Sequence, residues 1–129
     1  MDVEVLLALL VAHTDAWNRH DLDGLMEMFA DDCVFESSGG DEVCGHRYSG
    51  RTEVRDAFAG VFEAMPDANW GQGRHAVMGE SDGVSEWVLT GTLGDGRRLE
   101  VNGCDFLTVA DGLITVKNSY RKQRPPLAR

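Results

Sequence analysis

Leu107-Thr108-Val109-Ala110-Asp111-Gly112-Leu113-Ile114-Thr115-Val116 (residues 107–116) is a pair of apolar, β-branched runs joined by Asp-Gly, and its reading decides the fold. Asp-Gly tolerates the positive φ angles of a type I′ turn, whose twist suits a two-stranded hairpin. The same pair stands upstream at Asp82-Gly83 and Asp95-Gly96. Strands are therefore expected at about 70–80, 84–93, 97–110 and 113–122, in a four-stranded antiparallel meander. The tail Arg124-Pro125-Pro126 ends it, since proline cannot donate to a ladder.

Upstream of residue 70 the apolar period is helical. Val3, Leu6, Leu7, Leu10 and Trp17 recur at helix spacing over residues 3–18. A second, short helix is expected from Asp21, a good N-cap, with Leu22, Leu25, Met26 and Phe29 on its inner face. Residues 33–37 read as a strand. A third helix is expected from about Thr52 to Ala64, stopped by Pro66. Helices first and strands afterwards, without βαβ alternation, define an α+β class. No linker, repeat or low-complexity tract divides the chain, so one domain over residues 1–129 is expected.

Composition narrows the functions. With 22 acids against 12 bases and a net charge of −10, the surface repels phosphate backbones and anionic lipid. Neither nucleic acid nor a membrane is an expected partner. Cys33, Cys44 and Cys104 are odd in number and show no CxxC spacing, unlike a secreted disulfide scaffold. The apolar start carries Asp2 and Glu4 and no basic n-region, so it reads as a helix face, not a signal peptide. The expected address is the cytoplasm. His13, His20, His46 and His75 show no HxxxH or HxH spacing, so neither metal nor cofactor is expected.

The stretch Trp17-Asn18-Arg19-His20-Asp21-Leu22-Asp23-Gly24-Leu25, running into Phe29-Ala30-Asp31-Asp32-Cys33-Val34-Phe35-Glu36, resembles the nuclear transport factor 2-like superfamily. Gly50-Arg51, Glu86-Trp87 and Gly103-Cys104-Asp105-Phe106 extend the likeness over essentially the whole chain. SnoaL-like polyketide cyclases, ketosteroid isomerases and limonene epoxide hydrolases belong to that superfamily, as do non-enzymes. The resemblance implies a cone: a curved antiparallel sheet with three N-terminal helices over its concave face, and a homodimer through the outer face. Against the isomerase pattern, Ser37 stands where the catalytic base would be. His13 stands in place of an oxyanion-donating tyrosine, and Asp105 corresponds to a second acidic donor.

Hairpin arithmetic places the polar residues independently. A two-residue loop at Asp111-Gly112 makes paired numbers sum to 223, so Asp105 faces Asn118 with Tyr120 one step along. The same loop at Asp95-Gly96 gives sums of 191, so Asp105 faces Glu86. One residue of slip would bring Trp87 into the row instead. Leu6, Leu10, His13 and Trp17 lie within about 60° on one helix face. Two carboxylates in an apolar cavity cannot both ionise cheaply, which supplies an acid and a base together.

The expected function is binding of a small apolar molecule and cofactor-independent isomerase, cyclase or hydrolase chemistry on it. Asp105, Glu86 and His13 are the expected catalytic residues. Asn118, Tyr120, Trp17 and Ser37 are expected to contact ligand. The competing expectation is a non-catalytic ligand-binding or protein-interaction domain. In that reading Asp105 is simply hydrogen-bonded, His13 is a satisfied core residue and Trp17 is packing. His46 and Tyr48 read as a solvated loop.

Overall fold

The computed structural model describes residues 2–129. Helix α1 (Val3–Asn18) is capped by Asp2, whose carboxylate accepts the Glu4 N–H at 2.8 Å. His20, at φ 54, turns the chain out of it. Asp21 caps α2 (Leu22–Glu27) through the Gly24 N–H at 3.0 Å. Strands β1 (Phe29–Glu36) and β2 (Arg47–Ser49) precede α3 (Arg51–Ala64). Then β3 (Asn69–Met78), β4 (Asp82–Thr92), β5 (Arg98–Ala110) and β6 (Leu113–Arg121) follow.

The six strands form one curved, open sheet in the order β2-β1-β6-β5-β4-β3. β3 to β6 make the expected antiparallel meander. β1 returns parallel to β6 and pairs antiparallel with β2. The α+β class and the helix-covered sheet are as the sequence implies. Burial along β4 alternates strictly, with Ser85, Trp87 and Leu89 inward. Helix α1 covers that face with Leu6, Leu10, His13 and Trp17, and Val54 and Phe58 of α3 join the same core, Phe58 against Trp17, Phe29 and Phe35.

Three local readings change. Phe29 opens β1 and does not end α2, and Tyr48 lies in a short strand where a loop was expected. Val3 and Leu7 keep 58% and 39% of their surface exposed, so the buried stripe of α1 is Leu6, Leu10, His13 and Trp17.

The larger correction is register. Asp111 (φ 52) and Gly112 (φ 78) do form a two-residue turn, with Ala110 opposite Leu113 and Val109 opposite Ile114. A β-bulge then falls between Thr108 and Val109, with Thr115 the extra residue on β6. Beyond it Asp105 faces Ser119 and Leu107 faces Lys117. At the next turn the loop is Gly94-Asp95-Gly96. The Leu93 N–H donates to Arg97 O at 2.8 Å and Gly96 takes φ 86. That third loop residue makes Asp105 face Ser85, not Glu86. Asp82-Gly83 is no turn at all: both residues lie in β4, and Gly79-Glu80-Ser81 turns the chain. Because side chains alternate, each one-residue slip reverses a face. Glu86, Asn118 and Tyr120 move to the outer face; Trp87, Leu89, Lys117, Ser119 and Arg121 move to the inner one.

Candidate functional site

The inner face and the helices enclose a cavity of about 240 Å³, partly open to solvent. Trp17 of α1, Phe35 of β1, Tyr48 of β2, Ala57 and Val61 of α3, and Trp70 and Trp87 wall it. All three tryptophans of the chain therefore line it. Trp17 sits at the centre of this aromatic wall, edge-on to Phe58 at 4.7 Å and to Trp70 at 5.0 Å between centroids. Tyr48 stacks on Phe35 at 5.6 Å and 15° near the mouth, where Ser37 also lies.

The polar end of the cavity is Asp105, Lys117, Ser119 and Arg121. Asp105 (4% exposed) accepts three hydrogen bonds. Ser119 Oγ donates to Oδ1 at 2.5 Å; Trp87 Nε1 and Lys117 Nζ each donate to Oδ2 at 3.0 Å. Lys117, equally buried, also lies 3.4 Å from His13 Nε2 and 4.9 Å over the Trp17 ring. Trp17 Nε1 donates to the same His13 nitrogen at 3.1 Å. Two donors converging on Nε2 put the His13 proton on Nδ1, which is buried without a partner, as is Thr14 Oγ1.

The charges follow from this packing. Burial pushes His13 well below its ordinary pKa, and Lys117 beside it adds to the shift, so the ring is neutral. Burial alone would raise Asp105, but the Lys117 ammonium and the Ser119 hydroxyl outweigh it and hold the carboxyl below its ordinary value. Burial lowers Lys117 against the pull of Asp105. The cavity end thus carries two cations, Lys117 and Arg121, against one carboxylate. In a chain of net charge −10 it is a local positive spot.

Of the residues singled out from sequence, Asp105, His13 and Trp17 come together, and Ser37 reaches the rim. Glu86 does not join them: its side chain is 57% exposed and pairs with Arg74 at 3.0 Å. Asn118 and Tyr120 bond each other at 3.2 Å on the outer face, with Tyr120 edge-on to Phe106. The coupled carboxylate pair is therefore replaced by a carboxylate–ammonium pair. Lys117, Ser119 and Arg121 reach the inner face only through the bulge, and nothing local in Leu113-Ile114-Thr115-Val116 announces it. One signal was available: Lys117 is one of two lysines in the chain and sits inside an apolar strand. Among the described residues no group of three or more His, Cys, Asp or Glu side chains is arranged to hold a metal. No helix among them is long and apolar enough to cross a membrane.

His13 sets a pH dependence. Its folded pKa lies below the unfolded value of about 6.5, so between the two the unfolded chain holds a proton that the folded one lacks. Stability should fall as pH drops below about 6.5, by at most about 1.4 kcal/mol per pH unit for each such group. His75 is lowered by burial too and contributes in the same direction. Lys117 and Asp105 are the charged groups that act on His13. Urea midpoints at a series of pH values should flatten in His13→Gln and flatten further with His75→Gln; an unchanged slope in His13→Gln would assign the effect elsewhere.

Solved structures give the fold its relatives. A candidate polyketide cyclase from Xanthomonas campestris pv. campestris superposes with a TM-score of 0.83 at 21% identity, over 93% of this chain and 92% of that one. An NTF2-like protein from Burkholderia xenovorans LB400 does so at 0.79 and 16%, over 95% and 92%. The epoxide hydrolase/cyclase-like enzyme SalBIII, of pyran ring formation in the polyether salinomycin, gives 0.77 and 17%, over 90% and 89%. No curated protein sequence matches. The fold is that of the nuclear transport factor 2-like proteins, and the chain belongs to the SnoaL-like domain family, whose sequence model matches residues 10–117.

Proposed function

We propose that this chain binds a small, mostly apolar molecule bearing a carbonyl or enol oxygen and shifts a proton on it, as a cofactor-independent isomerase or cyclase. The observation that carries the reading is Lys117: an ammonium that is almost fully buried, held by Asp105, and yet in the wall of an aromatic cavity. The ligand's apolar body rests on Trp17, Trp70 and Trp87, and its oxygen takes a hydrogen bond from Lys117. Asp105 accepts a proton from the adjacent carbon. The C–H electron pair becomes C=C, and the carbonyl pair moves onto oxygen, where Lys117 and Arg121 stabilise the charge. Asp105 then returns the proton at a second carbon. His13 is a positioning residue: neutral, it holds Lys117 from behind and touches no ligand. Ser37 and Tyr48 contact the ligand at the mouth.

The three tryptophans make the test direct, because ligand binding quenches their emission. Lys117→Met should weaken a phenolate enol mimic by roughly 10–100-fold, the worth of about 1.5–3 kcal/mol for a hydrogen bond to a charged group. A neutral phenyl ether of the same shape should change by less than about threefold, or about 0.7 kcal/mol. Equal losses for both would sink the oxyanion reading. Proton transfer is read separately, as deuterium uptake beside a ketone in D2O.

One observation favours a second reading. Asp105 already accepts three hydrogen bonds, which leaves it a weak base. A non-catalytic carrier domain predicts tight binding of the phenolate with no deuterium uptake above the Asp105→Asn background. We further propose that the chain acts in the cytoplasm as a homodimer through the outer sheet face, where Phe106 and Tyr120 are exposed.

A further inference from the structure

We infer that Lys117 is an imine-forming amine, and that the cavity captures apolar aldehydes or ketones covalently. The inference rests on the reading that a carbonyl compound enters this cavity, and it adds a bond that such binding does not require.

The geometry supplies each group the reaction needs. An ammonium has three N–H bonds. Asp105 Oδ2 takes one at 3.0 Å and His13 Nε2 lies along a second at 3.4 Å, which leaves the third for the cavity that Lys117 lines. The walls beside it are Trp17 and Phe35, with Nζ 4.9 Å and 6.0 Å from their centroids. Burial among these side chains disfavours the charged amine, the usual way of making a lysine nucleophilic, and it outweighs the pull of Asp105 and lowers this group even though the Trp17 face favours a cation. A purely structural counter-ion for Asp105 would gain from the bidentate fork of arginine and would have no reason to face a cavity. The remaining charged neighbour in the lining is Arg121, which favours the neutral amine further.

The step balances. The ammonium passes a proton to the Asp105 carboxylate, and the freed lone pair adds to the carbonyl carbon while the C=O pair moves to oxygen. That oxygen takes the proton back from Asp105 as a hydroxyl. It then leaves as water with a second proton, lost from nitrogen and passed by Asp105, as the nitrogen lone pair closes C=N. The sum is carbonyl plus ammonium to iminium plus water, with no oxidant or reductant.

The chain suits the experiment, since Lys117 and Lys122 are its two lysines and Lys122 is exposed. The intact protein is incubated with benzaldehyde and sodium cyanoborohydride, which reduces an iminium to a stable secondary amine. Peptide mapping then separates Lys117, Lys122 and the α-amino group. The expected result is a Lys117 adduct exceeding that on Lys122 by at least about tenfold, a small part of what holding amine and carbonyl together supplies. Benzyl alcohol, bound but unreactive, should protect Lys117 and leave Lys122 unchanged. Lys117→Arg should abolish the excess, and the alcohol protection in the unaltered chain keeps the test sound if that variant folds poorly. Saturable tryptophan quenching by benzaldehyde without a Lys117 excess overturns the imine and leaves the cavity reading standing. Absence of saturable quenching overturns both.

Discussion

Asp105→Ala should destabilise the chain by about 3–5 kcal/mol, the usual consequence of leaving one member of a buried ion pair alone. The variant strands three donors at once: the Lys117 ammonium, the Trp87 indole N–H and the Ser119 hydroxyl. None has another acceptor in the aromatic wall except His13, which already faces Trp17 and Lys117. The loss should shrink as pH rises, because an unpaired Lys117 escapes much of the penalty by giving up its proton. Asp105→Leu combined with Lys117→Met should recover most of the loss, since an apolar pair of similar volume replaces a pair whose desolvation offsets its attraction. Urea unfolding of the parent chain and the two variants at two pH values checks this. A single-variant loss below about 1 kcal/mol, the range of an exposed pair, would mean that water reaches the Asp105–Lys117 contact.

That contact is also where sequence and structure part. Every element of the meander is legible, because its signals are local: alternation in Val84 to Thr92, β-branched runs, and polar or glycine breaks between them. The helices are legible for the same reason, and Asp2 and Asp21 cap α1 and α2. Register is a different kind of quantity. It depends on how many residues each turn holds, and a two-residue and a three-residue loop differ here only in whether Gly94 joins Asp95-Gly96. It depends also on a bulge at Thr115, a residue that would sit equally well in an unbroken strand. Asp105 stays inward in both registers because Val101, Leu107 and Val109 on its own strand fix its face. Its partners come from other strands, so Glu86 and Asn118 are exchanged for Ser85 and Ser119, and a carboxylate pair becomes a salt bridge. The chemistry changes kind on one residue of slip: a shared proton between like charges gives way to an ammonium in an aromatic wall.

Gly103→Ala is expected to show how tightly the sheet and the site are tied. Gly103 lies on β5 directly opposite Trp87 and Arg121. A Cβ there would sit 2.4 Å from the Tyr120 carbonyl and 2.5 Å from Trp87 Cη2 and Cζ3. The indole of Trp87 thus lies across the bare backbone of Gly103, and this lets its Nε1 reach Asp105 at 3.0 Å. Of the two obstructions the carbonyl belongs to a paired strand and cannot step aside, so the indole must. The variant should lose about 1–3 kcal/mol or more from overpacking. It should also lose the Trp87 hydrogen bond to Asp105, and with it affinity for the phenolate probe. Gly60→Ala supplies the opposite expectation. Gly60 lies within α3 with nothing within 4 Å of its would-be Cβ, so alanine there should stabilise by about 0.5–1 kcal/mol. Urea midpoints moving in opposite directions, with a changed tryptophan spectrum in Gly103→Ala alone, are the expected pattern. If Gly103→Ala kept both its midpoint and its spectrum, Trp87 would not be resting on Gly103. The donor that orders Asp105 would then have to be sought in Ser119 and Lys117 alone.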